Sequence, residues 1–188
     1  MKRIIKSMLG MLLLVVVVLG LSLNAYALTQ TRSHIIDNDD AQGYTNDRYG
    51  FDTLFQASTL YYQDARRQVC NANNNQYQYI FPEITSLQPI NVQISAYLYH
   101  TSFTDPAALY GINTGLDLFF SYAGTINQDL AAPGWNVIGP AKTHLSGHIG
   151  GGSGGIGFST YMVVVEPSHN NPGKYCGADA IKAVATYQ

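Results

Sequence analysis

Ile90-Asn91-Val92-Gln93-Ile94-Ser95-Ala96-Tyr97-Leu98-Tyr99 is the stretch that decides the architecture. Its even positions are apolar, and its odd positions are Asn, Gln, Ser and Tyr. Successive side chains of a strand point to opposite faces, so this period of two predicts a strand with one dry and one wet face. Working outward, Leu116, Leu118 and Phe120 alternate in the same way. Ile156 to Val165 reads as a more deeply buried strand, and Ile181, Ala183, Ala185 and Tyr187 form a C-terminal one. Shorter strands are expected at 77–81, 135–139 and 143–149, separated by the turn signals Asp105-Pro106, Pro133-Gly134, Gly139-Pro140 and Pro172-Gly173. No helical pattern falls between the strands, which argues against parallel βαβ units.

Upstream the period changes. Phe51, Leu54, Phe55, Ser58, Tyr62, Ala65 and Val69 fall on one face of a 3.6-residue repeat. Asp52 near the start and Arg66-Arg67 near the end suit the helix dipole, and Asn71 to Asn75 would end the helix. The expected fold is therefore α+β and mostly β: an antiparallel β-sandwich or one twisted antiparallel sheet, with a single packed N-terminal helix over about 51–69.

The first 27 residues read as a secretory signal peptide. Lys2, Arg3 and Lys6 make a positive start, Met8 to Leu23 is almost purely apolar, and Ala25-Tyr26-Ala27 offers small residues for cleavage. The apolar run is shorter than the roughly 20 residues a spanning helix needs. No second run of that length follows, so no transmembrane span is expected in the mature chain. Residues 28–47 are polar and without period and read as a flexible N-terminal arm; residues 48–188 read as one β-rich domain. The expected location is secreted, periplasmic or extracellular.

Charge excludes several functions. Only 12% of the chain is charged, against about 25% in ordinary domains. Without the leader, seven basic side chains face twelve acidic ones, so a basic nucleic-acid surface is absent and no nucleic-acid partner is expected. Cys70 and Cys176 are the only cysteines. In an oxidising compartment they are expected to form one disulfide, stapling the helix end to the last strand.

Chemistry-bearing motifs are sparse. His144 and His148 have the i, i+4 spacing of a helical zinc pair, but here they fall on a strand, where such residues lie about 13 Å apart and cannot share one ion. They would instead line a solvent-facing row with Ser146. Asp37-Asn38-Asp39-Asp40 invites calcium, yet the EF-hand spacing fails at Ala41 and Gly43, and it reads as a solvated acidic loop. Gly152-Ser153-Gly154-Gly155-Ile156-Gly157 matches G-x-G-x-x-G, but a strand follows it rather than the helix that a dinucleotide site needs. Gly151 to Gly155 matches G-x-S-x-G, with His100 and Asp117 upstream in triad order; the segment is low in complexity and reads as a loop. No metal, no cofactor and no catalytic set is assigned.

The tyrosines carry the leading reading. Tyr97 and Tyr99 lie on the wet parity, and Tyr77 and Tyr79 share a parity of their own. Exposed aromatic rings among Asn, Gln and Ser stack on sugars and also suit protein contacts. Trp135, the lone tryptophan, reads equally as a core plug or a platform. Tyr97, Tyr99, Tyr77, Tyr79 and Trp135 are thus the candidate ligand-binding residues of a secreted, non-enzymatic module that recognises a glycan or a protein surface. The alternatives are a membrane-associating effector or toxin making peripheral contact, and a small secreted hydrolase built on Ser153 or on His100, His144 and His148.

Overall fold

The alternation quoted above is realised in a computed structural model that describes residues 29–40, 45–48, 51, 53–70, 76–86, 88–99, 101–113, 120–144, 147–149, 156–158 and 160–187. All but Thr29 and Gln30 belong to one compact unit, residues 31–187. Fourteen strands are described, and every pair whose register is described is antiparallel.

One sheet has the order β1 (Gln30–Ile36), β14 (Ile181–Tyr187), β6 (Ile90–Leu98), β9 (Gly134–His144). The second runs β2 (Thr45–Arg48), β5 (Gln76–Phe81), β12 (Tyr161–Glu166), β7 (Ala108–Asn113), β8 (Ser121–Ile126). Their dry faces meet in one apolar core, the sandwich arrangement of layered sheets. Ile90, Val92, Ile94, Ala96, Leu98, Ile181, Ala183 and Ala185 come from the first sheet; Tyr77, Tyr79, Phe81, Tyr110, Ile112, Tyr161, Val163 and Val165 come from the second. In β6 every even residue is buried, as the period of two requires. β10 (Gly147–Ile149) and β11 (Ile156–Phe158) form a separate hairpin ladder flanking the glycine-rich segment.

The helix expected over 51–69 does not form. Thr53–Gln56 is β3 and Asp64–Val69 is β4, paired with each other through Thr53↔Arg67 to Gln56↔Asp64, while β13 (Tyr175–Ala178) pairs with the other edge of β4. Among the described residues the only helical turn is a single 3-10 turn at Tyr61–Gln63. On a helix, Tyr62 and Val69 would have belonged to the buried stripe; here both are exposed. Tertiary pairing wins because β4 can bond along both edges, while Thr, Ser and Tyr are only middling helix formers.

Two smaller corrections have equally local causes. The strands expected at 135–139 and 143–149 are joined at the front, because 134–144 is one strand with a register shift opposite Val92–Ile94. Gly139 permits that bulge: its φ is +57°, and a Cβ there would lie 2.2 Å from the Ala123 carbonyl oxygen. The Gln93 side chain satisfies the displaced backbone by donating to the Gly139 carbonyl at 2.9 Å. The shift carries His144 inward, opposite Ile90, where its fully buried ring packs edge-on against Tyr161 at 4.9 Å rather than in a wet row. Within 28–47, β1 occupies 30–36 and β2 begins at Thr45, and residues 41–44 lie outside the described residues. The strand expected around Leu116 and Leu118 also lies outside them. No helix among the described residues is long and apolar enough to cross a membrane.

Candidate functional site

Tyr97 and Trp135 are directly opposite each other on β6 and β9 and point to the outer face of the first sheet. Their rings meet edge to face, with centroids 5.3 Å apart. A third ring, Tyr61 from the 3-10 turn, closes the triangle, 5.4 Å from each. Lys182 on β14 sets its ammonium 4.6 Å from the Trp135 centroid, a cation–π contact. All four side chains are half-buried.

The turn that delivers Tyr61 also presents Tyr62. That ring lies 4.6 Å from Tyr61 and is 77% exposed. Its backbone sits at φ +45°, and Gln63 follows at +75°. Two consecutive side-chain-bearing residues in the left-handed region cost energy, and such strain persists where the surroundings over-determine it. Three backbone hydrogen bonds (Ala57 N to Gln63 O, Leu60 N to Ala57 O, Gln63 N to Leu60 O) hold the turn, and Tyr61 N donates to Asp179 Oδ2 at 3.2 Å.

Two hollows flank this turn. One, of about 400 Å³, is lined by Thr59, Tyr99, Thr101, Gln128, Asp129 and Pro133 among others. The other, of about 290 Å³, is lined by Gln56, Ala57, Ser58, Tyr62 and Gln63. Tyr99, just past the end of β6, is 45% exposed. Rings beside amides, hydroxyls and a carboxylate can bury the apolar face of a ligand while bonding its polar edge.

The structure thus brings Tyr97 and Trp135 together and leaves Tyr99 exposed beside a neighbouring hollow, but it moves Tyr77 and Tyr79 into the core. Both are fully buried, their rings 5.2 Å apart, with Tyr77 Oη donating to the Asn38 carbonyl and Tyr79 Oη to the Asp179 carbonyl at 3.0 Å. The reason is layer, not parity: β5 is an interior strand and its odd residues face the other sheet. Burial pushes the Tyr79 hydroxyl well above its ordinary pKa. The sequence pattern does not single out Tyr61 and Tyr62 as a site, because its 3.6-residue period puts this segment on a helix. The consecutive aromatics after Ser58-Thr59 are the signal that could have marked a presenting turn.

Cys70 and Cys176 are free, buried thiols. Cys176 is opposite Gln68, and Cys70 N bonds the Lys174 carbonyl at 2.8 Å, which puts the pair on one face, one ladder step apart. The Asp105 carboxylate, whose charge bears on both thiols, accepts from Ser168 N, Ser168 Oγ and Ala107 N at 2.8, 2.6 and 2.9 Å. Burial, then Asp105, pushes the Cys70 thiol up to about 12.

Elsewhere, His34 Nδ1 and Glu83 Oε2 are hydrogen-bonded at 2.8 Å beside a hollow of about 380 Å³. His34 Nε2 is buried with no partner, so no hydroxyl or thiol among the described residues completes a nucleophile–base set there. His100, Asp117 and Ser153 lie outside the described residues.

No known protein family matches the chain, and no curated protein matches it. Among solved structures it is similar to Paenibacillus xanthan lyase, at 17% identity and a TM-score of 0.55, over 81% of this chain and 13% of that one. It also aligns with an exo-beta-1,3-galactanase from Phanerochaete chrysosporium (8% identity, TM-score 0.39, 82% of this chain and 29% of that one). A third alignment is to the catalytic domain of an alpha-1,3-glucanase in complex with nigerose (9%, TM-score 0.35, 80% and 27%). The last two are too distant in shape to carry weight. The chain spans about an eighth of the xanthan lyase, and what the two share is a β fold.

Proposed function

We propose that this chain is an exported, non-enzymatic module that binds a glycan through the Tyr61–Tyr62–Tyr97–Trp135 cluster. One observation carries the reading: Tyr62 is held outward at a strained backbone position, packed on Tyr61 of the three-ring cluster and beside a hollow lined by Gln56, Ser58 and Gln63. A turn meant only to cover the sheet would bury that ring. The fold shared with part of a polysaccharide-degrading enzyme makes xanthan a sensible first probe.

Affinity electrophoresis through gels containing xanthan, or neutral α- and β-glucans, tests this. Retardation in at least one gel is expected, weakened about tenfold or more by Tyr62→Ala, the effect of losing one stacking ring together with the contacts it orders. No retardation in any gel, or equal retardation of Tyr62→Ala, overturns it and leaves a protein partner as the competing occupant of the same surface.

Export carries a second proposal: Cys70 and Cys176 bridge in the secreted protein, by exchange with a disulfide oxidant of the export compartment that is itself reduced to the dithiol. Their thiols are buried and poorly ionised in the folded chain, so the bridge must close before the core does, since the thiolate is the reacting species. Alkylation under denaturing, non-reducing conditions should then label neither cysteine; labelling of both would contradict it.

A further inference from the structure

Three buried side-chain oxygen atoms, on Asp37, Asn38 and Asp179, have no hydrogen-bond partner. Asp37 and Asn38 directly follow β1; Asp179 lies between β13 and β14. All three are almost completely buried, at 1%, 1% and 2% exposure. Asp37 Oδ1 accepts from Asn38 N at 2.8 Å, and Asp179 Oδ2 accepts from Tyr61 N at 3.2 Å. Asn38 Nδ2 donates to Asp64 Oδ1 at 2.7 Å, which fixes the direction of the amide. That leaves Asp37 Oδ2, Asn38 Oδ1 and Asp179 Oδ1 without any donor.

The core tyrosines bring these residues together. Tyr77 and Tyr79 are two residues apart on one face of β5, about 7 Å along the strand. Their hydroxyls donate to the Asn38 and Asp179 carbonyls, so neighbouring residues of one strand hold both loops. The negative charges of Asp37 and Asp64 both bear on Asp179, and no ion pair among the described residues reaches any of the three. Buried carboxylates without a counter-charge are rare because desolvation is so costly.

We propose that Asp37, Asn38 and Asp179 bind a calcium ion that fastens the Tyr61–Tyr62 turn to the sandwich. Among the described residues no three histidine, cysteine, aspartate or glutamate side chains converge to grip an ion, so the Asn38 amide oxygen is a necessary member of the set. An all-oxygen set selects a hard cation, and irregular donors from separate loops suit calcium better than magnesium, which demands a near-ideal octahedron. Two carboxylates and one amide correspond to the weak sites of extracellular modules, with Kd of order 10⁻⁴ to 10⁻³ M. Asp179 is the connecting residue: one carboxylate oxygen faces the ion while the other holds Tyr61 N.

The site itself does not depend on the glycan reading; its consequence for ligand binding does. The purified protein, stripped with EDTA, is titrated with CaCl2 while thermal unfolding is followed, and separately with Tb³⁺ while luminescence sensitised by Tyr77 and Tyr79 is read. Calcium at about 5 mM should raise Tm by about 3–6 °C, as mass action on a site of that affinity requires. Tb³⁺ should give a signal that calcium displaces. Asp37→Asn and Asp179→Asn, which keep shape and lose charge, should abolish both responses. If either variant fails to fold, calcium-displaceable Tb³⁺ luminescence of the wild type decides the matter alone. No Tm shift and no displaceable luminescence, or responses unchanged in both folded variants, overturns the site and leaves a proton held near these carboxylates. If calcium binds yet polysaccharide retardation is the same in EDTA, the link to the turn is overturned and the site stands. If no polysaccharide is bound at all, the glycan reading fails and the Tm and Tb³⁺ results still judge the site.

Discussion

Tyr77 with Tyr79, and Tyr61 with Tyr97, are two edge-to-face ring pairs with nearly the same separation, 5.2 and 5.4 Å. The first is sealed between two sheets, each hydroxyl satisfied by a main-chain carbonyl. The second lies on the outside of one sheet, under a single strained turn. The rings of the inner pair contribute burial and lock two loops together; those of the outer pair leave aromatic surface for something else to cover. The same residue type becomes scaffold or site according to how many layers lie above it, which neither ring geometry nor strand parity reveals.

Substitution is the strongest way to break that contrast. Tyr79→Ala should cost about 3–5 kcal/mol, as truncation of a buried aromatic does, and lower Tm by roughly 10 °C. Should it cost no more than Tyr62→Ala, the division into inner and outer pairs is wrong. Alkaline titration sharpens the inner side. Burial raises Tyr79, Tyr110 and Tyr161 above the ordinary 10.0. A folded-state pKa raised in this way gives stability that is complete below pH 10 and declines as pH climbs through and beyond it, because only the unfolded chain ionises readily. Ultraviolet difference spectra should therefore show one tyrosine fraction ionising early and another only together with unfolding; a single smooth titration without unfolding would contradict this.

Smaller effects separate hydroxyl from ring. Tyr79→Phe leaves the Asp179 carbonyl without its donor and should cost about 1–2 kcal/mol in urea unfolding. An unchanged midpoint would show that bond to be unimportant. Smallest of all, Tyr62→Gly should leave stability unchanged or raise it by up to about 1 kcal/mol, since glycine relieves the left-handed strain, while polysaccharide retardation is lost. Destabilisation by more than that would make the turn a structural cover.

Much of this was legible in the residues, and the omissions have physical causes. The dry and wet faces of β6 follow from its alternation, so the outward direction of Tyr97 was readable, and an antiparallel β-rich fold followed from the absence of helices between strands. Residues 51–69 misled because seven residues happened to fit a 3.6 period, while the pairing that decides the matter comes from β13, more than a hundred residues downstream. Tyr77 and Tyr79 misled because parity gives a direction but not what lies there. The unpartnered oxygens of Asp37 and Asp179 were beyond reach for the same reason: local spacing around Asp37 fails as a calcium loop, and the second carboxylate arrives from the far end of the chain.

Trp135 offers the most direct test, because it is the lone tryptophan and belongs to the outer cluster. Its fluorescence should be quenchable by acrylamide in the free protein, and should become protected and shift to shorter wavelength, saturably, as the retarding polysaccharide is added. An emission spectrum and acrylamide accessibility that stay constant through a titration that demonstrably binds would place the ligand elsewhere and contradict the account.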